Sequence, residues 1–227
     1  MLISRLFSIV VCLGLVACSS SPVVYYPTPS PAGGAAPSAP PTVLALQGPF
    51  LPDFDLFLCN RRISNPPPVD NRQQLTDHKP LILVGGVVLA SVPVNDACFN
   101  SGFGPRFGSS HEGIDLISNP PGPVYSAGPG LIVEVGVASG YGNHIVIDHG
   151  DGVFTRYAHL EYAYDGIEPG LLIGFGQPIG LMGGSGNATG IHLHYEVLLG
   201  DWGPKRSFGL TASDPLSWPA YVPQADS

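Results

Sequence analysis

Charge is scarce in this chain: only 11% of its 227 residues are Asp, Glu, Lys or Arg. Long solvent-facing helices draw on those residues, so few such helices are expected. Basic residues are scarcer still, 9 against 17 acidic ones, for a formal net charge of −8. That balance argues against nucleic acid as a partner, because phosphate binding needs a basic face. No stretch keeps a helical apolar period for long without a Gly or Pro. Cysteine is rare at four residues, and Cys59 and Cys98 lie too far apart to form a zinc-finger type pair. The apolar run Leu6–Val16 is too short for a bilayer, which needs roughly 20 residues.

What the chain does have is glycine (30), proline (25) and 44% apolar residues. Such a composition favours short strands joined by tight turns, so the expected fold is all-β with mainly antiparallel sheets. Strands are predicted at Leu81–Val84, Val87–Val94, Leu131–Val137, His144–Asp148, Val153–His159, Pro178–Met182 and His192–Leu199. The turn signal Asp148-His149-Gly150-Asp151-Gly152 predicts an antiparallel hairpin between two of them.

The N-terminal region reads as an address. Arg5, the apolar run and Ala17-Cys18 resemble a bacterial lipoprotein signal over residues 1–17, with Cys18 as the lipidation site. An ordinary secretory signal is the alternative. Ser19 and Ser20, with no Asp beside them, resemble sorting to the periplasmic face of an outer membrane. Residues 18–45 are rich in Pro, Ala and Ser and read as a tether that spans roughly 30 Å as a coil. Residues 46–80, broken by Pro66-Pro67-Pro68, read as an extension packed on a main domain at 81–220. In an oxidising compartment Cys59 and Cys98 are a candidate disulfide, worth about 4 kcal/mol on the chain-entropy model; two buried thiols are the alternative.

The informative histidines lie in Ser110-His111-Glu112-Gly113-Ile114-Asp115, Tyr157-Ala158-His159-Leu160 and Gly190-Ile191-His192-Leu193-His194-Tyr195-Glu196. On a strand His192 and His194 share a face, so one can bind a metal while the other faces its open position. Two imidazoles and a carboxylate suit one Zn²⁺ with a vertex left for water, the catalytic type of site. His144 is a candidate for a groove rim, His78 is expected to be solvated, and His149 sits in the hairpin turn. The Gly183–Gly190 stretch lacks the Gly-Lys-Ser/Thr of a phosphate loop and suits a groove wall instead.

Four ordered motifs carry a family resemblance: Ser101-Gly102-Phe103-Gly104-Pro105-Arg106 with His111 to Asp115, Gly140-Tyr141-Gly142-Asn143 with Ile147 to Gly152, Tyr157 to Leu160, and Gly184-Ser185-Gly186 with Thr189 to Glu196. Over roughly residues 81–218 the chain resembles the lysostaphin/LytM-type zinc metallopeptidases, whose domain is a duplicated hybrid motif with a narrow groove. The resemblance implies zinc ligands at His111, Asp115 and His194, and His159 and His192 beside the water, with either as the general base. It implies peptide-bond hydrolysis in peptidoglycan, with a D-Ala to diamino-acid cross-link as the expected target. Arg106 and Asn143 are candidates for the substrate groove. Some relatives carry a tyrosine before the first ligand to help the oxyanion. Arg106-Phe107-Gly108-Ser109-Ser110 has none, and Arg106 is the candidate substitute. Members that only activate other hydrolases lack some of these five residues, and this chain keeps them all.

Overall fold

A computed structural model describes residues 50–52, 55–106 and 108–223. The predicted signal at 1–17, Cys18 and the tether at 18–45 lie outside the described residues. Those described contain fifteen strands and one 3-10 turn, Arg206–Gly209, and no α-helix. None of their helices is long and apolar enough to cross a membrane.

In chain order the strands are β1 (Phe57–Leu58), β2 (Leu81–Val84), β3 (Val87–Ala90), β4 (Ala97–Ser101), β5 (Gly104–Arg106), β6 (Ser109–His111), β7 (Ile114–Ser118) and β8 (Pro123–Tyr125). There follow β9 (Gly130–Ala138), β10 (Gly142–Asp148), β11 (Val153–Ala163), β12 (Leu172–Ile173), β13 (Pro178–Met182), β14 (Leu193–Leu199) and β15 (Thr211–Ser213). The main sheet runs β1-β4-β7-β14-β11-β10-β9-β12. Its pairs are antiparallel except the short β1–β4 contact.

Side-chain alternation gives this sheet two different faces. One carries Ile114, Leu116, Ile145, Ile147, Tyr157, Leu193, Tyr195 and Val197 into the main core. Each such side chain contributes about 1.5–3 kcal/mol on burial. The buried tyrosine hydroxyls are satisfied: Tyr157 accepts from the Ala127 N–H at 2.7 Å, and Tyr195 donates to Ala90 O at 3.1 Å. The opposite face carries Val146, Phe154 and Leu198 in a small cluster, and beside them Asp115, Arg156, His194 and Glu196.

The strand predictions need correction, chiefly in two places. The strand expected over Val87–Val94 stops at Ala90, although Ser91–Val94 stays buried. Pro93 has no N–H to donate to a ladder, and its carbonyl accepts from Tyr125 instead. Strand β7 was not expected, because Asp115 interrupts its apolar pattern Ile-Asp-Leu-Ile-Ser.

The segment before the main sheet is tied down at several points. Cys59 and Cys98 form a disulfide, and β1 runs parallel to β4 beside it. Phe50 stacks on Tyr125, with ring centroids 5.1 Å apart, and also meets Phe175.

Candidate metal centre

His111 closes β6, Asp115 lies on β7, and His194 lies on β14 directly opposite Asp115. The crossing between β6 and β7 is tight enough to require a glycine: a Cβ on Gly113 would sit 2.4 Å from Tyr195 O. Three ligand-type atoms meet at this point. Asp115 Oδ1 is 3.0 Å from His111 Nε2 and 3.0 Å from His194 Nδ1, and the two nitrogens are 3.0 Å apart. All three residues are buried.

The outer nitrogen of each ring reveals what the inner one offers. His111 Nδ1 lies 2.7 Å from Gly102 O, and a carbonyl can only accept, so Nδ1 carries the hydrogen. His194 Nε2 donates in the same way to Glu196 Oε1 at 2.9 Å. With both rings neutral, two lone pairs and a carboxylate converge on one point with no donor among them. That arrangement is repulsive unless a cation fills it. The donor set of two imidazoles and one carboxylate fits zinc with one vertex open. Without a metal, a proton on His194 serves the same need. Burial works against it, but Asp115 and Glu196 outweigh burial and push His194 up to about 9. Burial alone would raise the Asp115 carboxyl, yet the adjacent His111 and His194 imidazoles hold it well below the usual carboxylate range.

Around this cluster lies an open cavity of about 400 Å³, lined by all five predicted metal and catalytic residues together with Arg106, Tyr141 and others. His192 Nε2 approaches Asp115 Oδ1 at 3.6 Å, and the His159 and His192 rings are 4.8 Å apart. His159 owes its position to a kink in β11. Up to Ala158 the strand pairs with β14, and from Leu160 it pairs with β13. At the changeover β11 spends three steps against two on β10, and His159 takes φ = 61°. Non-glycine residues in this region are strained and cluster at functional sites. The ring's Nδ1 lies 2.8 Å from Ser185 O, so Nδ1 donates and Nε2 is the acceptor. Burial pushes this imidazole down to about 4, so it is neutral at pH 7. His192 Nδ1 is held likewise by Gly190 O at 2.9 Å.

Several groups beside the cavity escaped the sequence reading. Glu196 is the partner of His194, and the two-residue spacing on one strand face was the available signal. Arg156 meets Glu196 Oε2 at 2.5 Å and lies under the Tyr141 ring, 4.1 Å from its centroid. Its Nε and Nη2 are buried without a hydrogen-bond partner among the described residues, so ring faces carry part of its stabilisation. Tyr141 OH donates to Glu112 Oε2 at 3.1 Å. The Gly102 carbonyl had no signal at all.

Other expectations are corrected. Asn143 does not line the cavity: its amide donates to Leu160 O and Glu161 O, at 3.1 and 2.8 Å, and fastens β10 to β11. His144 is not at a rim but buried, 3.3 Å from Glu134 Oε1. Arg106 does line the cavity, but its Nη2 is engaged by Ser101 Oγ and lies 3.4 Å from Asp115 Oδ2.

Comparison with known proteins agrees with this geometry. The description "Peptidase family M23" matches residues 109–203, which include all three candidate ligands. Peptidoglycan DD-endopeptidase ShyA of Vibrio cholerae is 39% identical over 89 residues, covering 39% of this chain and 20% of ShyA. The uncharacterized lipoprotein YgeR of Escherichia coli is 37% identical over 118 residues, covering 52% of this chain and 41% of YgeR. A crystal structure of a zinc-containing peptidase from Vibrio cholerae is 27% identical, covering 65% of this chain and 49% of that one, with a TM-score of 0.50. The chain spans about a fifth of the length of ShyA.

Proposed function

We propose that this chain is a zinc-dependent endopeptidase that hydrolyses peptide bonds in peptidoglycan. The observation that carries the reading is the convergence of three buried ligand-type atoms, Asp115 Oδ1, His111 Nε2 and His194 Nδ1, at 3.0 Å spacing. We assign those residues as the ligands of one Zn²⁺, which when bound acidifies water and polarises a carbonyl. The chain's own side chains do the rest. His159, neutral and presenting Nε2, takes a proton and passes it toward the leaving amine. His192, across from it, presents the same nitrogen and donates a hydrogen bond to the developing oxyanion when Nε2 as well as Nδ1 carries a proton. The fixed carbonyls at Ser185 and Gly190 keep both rings aimed.

The name of ShyA supports a peptide cross-link between D-residues as the bond cut. The lipoprotein YgeR supports attachment to the cell envelope, and we assign the anchor to lipid on Cys18 at the periplasmic face of the outer membrane. Purified peptidoglycan incubated with the full chain should release muropeptides, and a chelator should stop the release until zinc is restored. Binding to peptidoglycan without release, at full zinc occupancy, would replace the enzyme with a regulatory module.

A further inference from the structure

We infer that the disulfide-clamped segment Phe57–Leu75, which lies outside the residues matched to family M23, is a working part of the metal centre. It positions the Gly102 carbonyl and thereby sets which nitrogen His111 offers. The inference rests on the metal reading above and goes beyond it by giving this segment a task.

The clamp begins at the Cys59–Cys98 bond, where Cys59 N–H also donates to Phe99 O at 2.9 Å. A few residues on, Ser64 O accepts from Gly102 N–H at 2.8 Å. The Asn65 amide then donates to Phe103 O at 3.3 Å and Pro105 O at 3.1 Å. The peptide units on both sides of the Gly102 carbonyl are thus held by two consecutive residues of the clamp. That carbonyl has one direction left, and it accepts from His111 Nδ1 at 2.7 Å. The fit is close: a Cβ on Gly102 would lie 2.0 Å from Asn65 O. Meanwhile no residue of the clamp lines the cavity, so the segment acts from behind the loop and does not plug the groove. Partners that orient a metal-binding histidine typically govern metal affinity 10–100-fold.

The test uses the full chain and two readouts: zinc affinity by competition with a chelator, and the tautomers of His111 and His194 by ¹⁵N NMR, with and without zinc. Three variants are compared. Asn65→Gly removes the amide while suiting the backbone, which has φ = 48° there. Cys59→Ser with Cys98→Ser opens the clamp at its root. Phe50→Ala loosens a different contact of the N-terminal segment, the one on Tyr125 and Phe175. The first two should weaken zinc about tenfold and disturb the His111 Nδ1–H signal, leaving the His194 signal in place. Phe50→Ala should lower Tm and leave both readouts unchanged. Wild-type affinity and an undisturbed His111 in Asn65→Gly would overturn the inference, as would an equal loss in Phe50→Ala. A wild-type chain that binds no zinc would instead overturn the proposed function, and the metal-free His111 signal still decides the inference.

Discussion

The two imidazoles of the metal centre are held in opposite ways. His111 rests on a neutral backbone carbonyl in a loop, and that loop is braced by a segment more than thirty residues earlier, Ser64–Asn65. His194 rests on a carboxylate two residues along its own strand, and Glu196 in turn meets a buried Arg156 on the neighbouring strand. One half of the site is built by local alternation within the sheet. The other half is built by a loop held by Ser64 and Asn65, which lie outside the residues matched to family M23. The lesson is that one ligand set can rest on two kinds of support: the strand half comes with the sheet, and the loop half comes with the segment that braces it.

Removing a ligand should erase the distinction altogether. His111→Ala and His194→Ala should each abolish zinc binding and reduce muropeptide release to background while the chain stays folded, as read by circular dichroism. Wild-type release from either would break the comparison at its base. His159 belongs to neither half. His159→Ala should retain one zinc per chain and lose 10²–10⁴-fold in kcat, the usual worth of a positioned acid–base group. Unchanged kcat would take His159 out of the mechanism.

The next expected effects separate the halves. Glu196→Gln should cost 10–100-fold in zinc affinity through His194. Because it strands the Arg156 charge, it is best made with Arg156→Met, which removes both charges together. If the double variant regains wild-type zinc affinity, the carboxylate does not act on the ligand. Gly102→Ala should destabilise by about 1–3 kcal/mol from overpacking against Asn65, and it should disturb His111 and not His194. Equal disturbance of both rings on NMR would merge the two halves into one.

The smallest effect lies away from both halves. His149 donates from Nδ1 to Pro129 O at 2.8 Å, and its Nε2 meets Thr155 Oγ1 at 2.8 Å. Burial pushes this imidazole down to about 4 from an ordinary 6.5. The unfolded chain therefore binds a proton that the folded chain refuses between those values, and stability falls as pH drops from about 6.5 to about 4. The loss is at most about 3 kcal/mol. Urea midpoints for wild type and His149→Gln across that window should converge at low pH, and parallel curves would contradict it.

Much of this was legible from the residues, and what was not has physical causes. The all-β fold followed from scarce charge and abundant glycine and proline. The candidate ligands stood out through the resemblance of their motifs to a known family, and strand spacing told only that His192 and His194 share a face. Glu196 could have been read from the same two-residue alternation as His192 and His194. Arg156 could not: its setting depends on Phe208, which arrives from the far end of the chain and lies 5.3 Å from its guanidinium. Nor could Gly102, since a carbonyl is present at every position and only the fold says which one is aimed at an imidazole. His144 misled because a histidine beside a groove motif suggests the rim, whereas Glu134 on the adjacent strand draws it inward.

The two rings also differ in reach, since one points its far nitrogen inward and the other its near nitrogen. The backbone of β14 must therefore stand closer to the ion than the backbone carrying His111. A shorter side chain with an oxygen at the near position, such as asparagine, imitates the one ring, and only a longer one, such as glutamine, imitates the other. The pocket is lopsided by the difference in reach between the two ring nitrogens, and that asymmetry dictates which conservative replacements each side can accept.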